Sequence, residues 1–79
     1  MDLGTLIETI ARGLVQYPDE VEVDEFDSDG NNTVVELRVA REDLGKVIGR
    51  DGRTAQDMRT LLNAASAKLG RRAHLDIID

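Results

Sequence analysis

The segment Gly45-Lys46-Val47-Ile48-Gly49-Arg50-Asp51-Gly52-Arg53-Thr54 holds the residue types best arranged for chemistry. Two glycines flank two polar residues, with helical patterns on both sides. Glycine reaches backbone conformations closed to other residues and lets another molecule's backbone approach closely. The first N–H groups of a following helix have no intrahelical partner and lie at the positive end of its dipole. Lys46, Arg50 and Arg53 surround that point with positive charge. The combination suits a phosphate held without covalent chemistry. Asp51 places a carboxylate in the same loop, offset by Arg50 and Arg53.

Other chemistries are poorly supplied. The chain has no cysteine, which excludes disulfides, thiolate zinc sites and thiol catalysis. Its one histidine, His74, shares a strand face with Asp76 but has no nucleophile or second base nearby, so it reads as structural. Asp43 and Asp51 read as helix-start residues rather than as paired carboxylates. The sequence therefore predicts no enzyme, no cofactor, no metal and no small-molecule substrate. Glu25 to Glu36 nearly fits a calcium-loop pattern, with Gly30 in sixth place and Glu36 in twelfth. Against it stand Glu25 in first place, Asn32 in eighth, and flanks that alternate as strands rather than helices. The segment reads as a solvated hairpin turn.

The elements that must position the glycine loop follow from periodicity. Leu3, Leu6, Ile7, Ile10, Ala11, Leu14 and Val15 recur at helical spacing behind Asp2 as N-cap, and Tyr17-Pro18 stops the helix. Val21 and Val23 alternate with acidic residues as a strand. Thr33, Val35, Leu37 and Val39 form a second, and the turn-rich Asp27 to Asn32 joins the two as an antiparallel hairpin. Arg41-Glu42-Asp43 opens a short helix with Leu44, Val47 and Ile48 on its apolar face. After the loop, Ala55, Met58, Leu61, Leu62, Ala65 and Leu69 mark a longer helix ended by Gly70. His74 to Ile78 forms a last strand. The order is α-β-β-α-α-β. A right-handed crossover would set the last strand parallel to the second, giving an α+β two-layer sandwich: three helices on a three-stranded mixed sheet.

The chain's 79 residues make one small domain, 1–79, and the balance of 41% hydrophobic to 33% charged residues is globular. It lacks a long apolar run, a targeting pattern and a lipidation signature, so it reads as soluble and cytoplasmic, with no membrane partner. The net charge of −6 is uneven. Residues 1–44 carry three basic and twelve acidic groups, whereas residues 45–79 carry seven basic and four acidic. The C-terminal half can thus present a local basic surface, while the overall acidity opposes non-specific sliding on nucleic acid.

An apolar pair followed by G-x-x-G between two helices resembles the KH domain, a module that clamps about four nucleotides of single-stranded nucleic acid with this loop. The element order resembles its type II, bacterial arrangement. The Gly45–Ala55 block, Tyr17-Pro18-Asp19 and the Ile77-Ile78-Asp79 ending resemble the small bacterial KH proteins of the KhpA (YlqC) family, over nearly the whole chain. The resemblance implies non-catalytic binding of single-stranded RNA and a role as RNA chaperone or post-transcriptional regulator linked to cell shape. It also implies a homodimer, or a heterodimer with a KhpB (Jag-type) KH protein. Carried over, Gly49, Arg50, Asp51 and Gly52 form the loop, and Lys46, Val47, Ile48, Arg53 and Thr54 flank it. Arg59 reaches a phosphate, and Arg71 and Arg72 sit in the turn before the last strand, facing the groove. Tyr17 and Phe26 are the only aromatics, both remote from the loop, so contacts to bases fall to apolar groove residues. The competing reading is a pure dimerisation module with little RNA affinity; its small core and exposed sheet edges would gain stability from a partner.

Overall fold

The computed structural model describes residues 2–79. Helix α1 spans Leu3–Leu14, β1 Glu22–Asp27, β2 Asn32–Arg38, α2 Leu44–Ile48, α3 Arg53–Ala67 and β3 Arg72–Ile78. Single 3-10 turns occupy Pro18–Glu20, Arg41–Asp43 and Arg50–Gly52. The sheet order is β1-β2-β3, with β1 antiparallel and β3 parallel to β2. The three helices lie on one face, so the expected α+β sandwich with α-β-β-α-α-β order is what the chain forms.

Alternation decides which side chains enter the core. Thr33, Val35 and Leu37 of β2 and Ala73 and Leu75 of β3 turn to the helices and are buried. They meet Leu3, Ile7 and Ala11 of α1, Val47 of α2, and Met58 and Leu62 of α3. Asp2 caps α1 as expected, its carboxylate accepting the Thr5 N–H at 2.7 Å. That hydrogen bond holds the Asp2 carboxyl below the usual carboxylate range.

The sheet's other face is uncovered and carries Asp24, Glu36 and Asp76 side by side across three strands. Like charges in directly opposed positions repel one another. The hairpin alternation also disposes of the calcium pattern. Glu25 points to the helix side, where it accepts the Gly4 N–H at 2.7 Å, whereas Glu36 lies on the open face. The first and last ligands of such a loop cannot converge from opposite faces of a sheet. Among the described residues no three acidic or histidine side chains gather as a metal site, and no helix is long and apolar enough to cross a membrane.

Three sequence expectations shift. Leu14, Ile48, Leu61 and Leu69, assigned to apolar helix faces, are exposed. β3 begins at Arg72 rather than His74, and β1 extends through Phe26 and Asp27. Pairing explains both extensions, because Asn32↔Arg72 and Asp27↔Thr33 are in register with the strands they prolong.

Candidate nucleic-acid interface

The glycine loop is shaped by three successive special residues. Gly49 has φ 79° and ψ 173°, a region open essentially only to glycine. Asp51 follows at φ 57° and ψ 25°, and Gly52 at φ 74° and ψ 13°. Asp51 is the one described non-glycine residue with positive φ, a conformation aspartate tolerates better than most. Thr54 packs directly over Gly49, leaving no room for a side chain there, whereas a side chain at Gly52 would meet open space. Gly49 therefore sets the turn's tightness, and Gly52 presents bare backbone outward.

Gly52 is also the N-cap of α3 and supplies no side-chain cap, and α3 has no acidic residue in its first turn. The helix thus opens with N–H groups that no side chain caps, at the positive end of a fifteen-residue helix. Arg50 and Arg53 are exposed, and among the described residues neither forms an ion pair. Ile48, 41% exposed, adds an apolar surface beside the loop.

Lys46 is held differently. Its ammonium lies 3.1 Å from Asp43 Oδ1. Asp43 is wholly buried, and its two oxygens also accept the N–H groups of Gln16 and Tyr17 at 3.0 Å each. Removal from water raises its pKa, but those two N–H bonds and the Lys46 ammonium outweigh that and hold it below the usual carboxylate range. Asp43 was expected to serve a helix start. It makes no capping bond, and instead ties the α1–β1 connection to the base of α2. Its partners lie 26 and 27 positions earlier, so no local pattern announces it.

Other candidates are redistributed. Val47 has no exposed surface and belongs to the core, so it has nothing to offer a base. The packing of α2 turns it inward, while its neighbour Ile48 turns out. Arg71, expected to face the groove, is engaged within the fold. Its guanidinium donates to Thr33 Oγ1 at 2.7 Å, Asp27 Oδ1 at 2.6 Å and the Asn32 carbonyl at 3.2 Å, bolting the hairpin end to the start of β3. Arg72 lies in β3, and its side chain stands on the open sheet face, alternate to Ala73 and Leu75. α3 runs antiparallel to β3, since Ser66 meets Arg71 at one end and Arg59 meets Leu75 further along. At about 1.5 Å per residue, the fifteen residues of α3 put Arg71 and Arg72 about 22 Å from the loop. Arg59 is half-buried and donates to the Leu75 carbonyl at 3.3 Å.

The loop, the helix arrangement and the sheet together define a KH domain of the type II order. The KhpA/KhpB KH-domain family model matches residues 4–77. The chain belongs to that family. It is 52% identical over 77 residues to the RNA-binding protein KhpA of Halalkalibacterium halodurans, covering 98% of this chain and all of the relative. It is 49% identical over 76 residues to the RNA-binding protein KhpA of Caldanaerobacter subterraneus subsp. tengcongensis, covering 96% of this chain and all of that one. Among solved structures, Era in complex with MgGDPNP and nucleotides 1506–1542 of 16S ribosomal RNA superposes with a TM-score of 0.64 at 22% identity. That match covers 95% of this chain but only 28% of Era, and speaks to the fold alone.

Proposed function

We propose that the chain binds single-stranded RNA without catalysis, with Gly49–Gly52 and the start of α3 as the phosphate clamp. The observation that carries this is the exposed couple Arg50 and Arg53, which form no ion pair among the described residues, beside a helix start that no side chain caps and a bare-backbone Gly52. Family membership supports it, since the relatives are RNA-binding proteins. Lys46 and Thr54 flank the clamp, and Ile48 supplies the apolar contact to a base. Asp51 subtracts from the local positive charge, so the affinity is modest and salt-sensitive. In the cell the proposed role is that of an RNA chaperone or post-transcriptional regulator in the cytoplasm.

The test is fluorescence anisotropy of a labelled eight-nucleotide RNA at several salt concentrations, comparing the native chain with Arg50→Glu. Single-stranded binding loses affinity with a log–log slope of about −0.7 per phosphate contacted. Two to three contacts give a slope of about −1.4 to −2.1, and Arg50→Glu should weaken binding and make the slope shallower. Equal binding by both proteins would place the site elsewhere.

A second reading rests on a separate observation. Leu3, Leu6, Leu61, Ala65 and Leu69 line an apolar cleft of about 460 Å³ between α1 and α3. It supports pairing with a second copy or with a KhpB (Jag-type) KH protein. If pairing were the sole function, loop variants would leave activity intact while Leu61→Glu abolished it. Sedimentation of the native chain and Leu61→Glu, alongside the anisotropy series, separates the two readings.

A further inference from the structure

The sheet has one covered face and one bare face. Glu25 turns to the helix side, where it accepts the Gly4 N–H, so its neighbours Asp24 and Phe26 stand on the bare face. The register then lays two parallel rows across the three strands. Asp24, Glu36 and Asp76 form one row, and Phe26, Val34 and His74 form the next. Neighbouring strands lie about 5 Å apart, and successive same-side residues of one strand about 6.7 Å apart. Three carboxylates thus stand at intervals of about 5 Å beside a stripe led by Phe26, which is 47% exposed. Glu36, in the middle, has a like charge on each side. Among the described residues one cation reaches the row: Arg38 lies 3.6 Å from Asp24, while Glu36 and Asp76 form no ion pair. Arg38 stands on the far side of the row from Phe26.

We propose that this face docks a lysine- and arginine-rich amphipathic helix of a protein partner. Charge complementarity selects a cationic occupant, because a positive side chain over each carboxylate offsets two cross-strand repulsions. A second copy of this chain would bring a net charge of −6 and the same acidic row, so like charges would meet. Spacing selects a helix. Its turns repeat about every 5.4 Å, in step with the strands when it lies across them. Basic residues at i, i+4 and i+7 then meet Asp24, Glu36 and Asp76 in turn, and an adjoining apolar stripe meets Phe26 and Val34. An extended segment along the same row repeats same-side residues about every 6.7 Å and is out of step by the third carboxylate. Arg38 repels the basic stripe from one side, which directs the apolar stripe to Phe26. The three helices and the glycine loop lie on the other face, so this surface is independent of the RNA-binding reading.

The test is fluorescence anisotropy with a labelled peptide of about fourteen residues, an alanine-rich helix with lysines on three successive turns and a leucine stripe beside them. A second peptide of identical composition carries its leucines opposite the lysines. At about 0.1 M salt, charges farther than about 10 Å are largely screened. The first peptide should bind there, and the second at least about threefold more weakly, for loss of the apolar contact. Glu36→Gln should weaken binding of the first peptide about two- to fivefold, the range of an exposed ion pair. Phe26→Ser should also weaken it and erase the difference between the two peptides. Asp57→Asn removes an equal charge from the exposed side of α3 and should leave binding unchanged. Melting temperatures check that each variant is folded. Equal weakening by Glu36→Gln and Asp57→Asn would show attraction to net charge alone and overturn the docking face. Equal binding of the two peptides by the native chain overturns it too, as does no binding of either. None of these results touches the RNA-binding reading, which is tested by the anisotropy of labelled RNA.

Discussion

Alanine substituted at Gly49 and at Gly52 should have sharply different costs, although the two glycines bracket the same loop. At Gly49 the backbone lies at φ 79° and ψ 173°, which costs an L-residue about 1–3 kcal/mol. A Cβ there would also stand 2.6 Å from Thr54 Cβ and 2.7 Å from the Thr54 backbone nitrogen. A rotamer change cannot relieve contact with a backbone atom, so the first turn of α3 must shift. Together the two effects cost about 3 kcal/mol or more. At Gly52 the backbone is left-handed at φ 74° with nothing within 4 Å of the added Cβ, so only the conformational cost of about 1–2 kcal/mol applies. A domain of this length is stable by about 4–12 kcal/mol, so Gly49→Ala removes a large share. In urea unfolding, with a slope of about 1 kcal/mol per molar for so small a chain, the midpoint should fall by about 3 M for Gly49→Ala and about 1–2 M for Gly52→Ala. Equal shifts, or a larger one for Gly52→Ala, would refute the reasoning that Thr54 seats on Gly49.

Adjacent leucines should likewise separate. Leu62 is wholly buried and Leu61 is 53% exposed, so Leu62→Ala should cost about 2–5 kcal/mol and Leu61→Ala under about 0.5, both read by urea unfolding. Glu36→Gln should stabilise the fold by a few tenths to about 1 kcal/mol at low salt, because it relieves two cross-strand repulsions. That gain should shrink in 0.5 M salt, where the Debye length falls to about 4 Å. Asp43 gives a pH dependence of known sign. Its folded pKa is depressed, so the stability it contributes is present above the unfolded carboxylate pKa of about 3.9 and is lost as pH falls through the lower folded value. Asp43→Asn should flatten the acid limb of a melting-temperature profile below about pH 4.

Much of this fold was legible because its information is local. Alternation in β2, helical spacing in α1 and the Gly49–Gly52 interruption each declare an element from neighbouring residues. The order of elements then leaves little choice of topology, and the loop's position between two helices follows. What escaped depends on contacts distant in sequence. Asp43 reads locally as a helix-start acid, but its partners are Gln16 and Tyr17 across the domain. Arg71 reads as a spare cation near a nucleic-acid groove, yet Asp27 and Thr33, 44 and 38 positions earlier, claim it. Helix phase was the third source of error. In an apolar-rich helix, Leu61 and Leu62 both suit a core, and only the packing of α3 on β3 selects Leu62. Val47 and Ile48 present the same ambiguity one helix earlier, with the opposite partner exposed.

The central claim, that single-stranded RNA is held at Gly49–Gly52 and the start of α3, is tested most directly by following every backbone amide by NMR during titration with a short single-stranded RNA. The amides of Arg50, Asp51, Gly52, Arg53 and Thr54 should shift first and furthest. The open-face residues Asp24, Glu36 and Asp76 should stay unmoved. Shifts concentrated on the open sheet face or in the α1–α3 cleft, with the loop amides unchanged, would contradict the account.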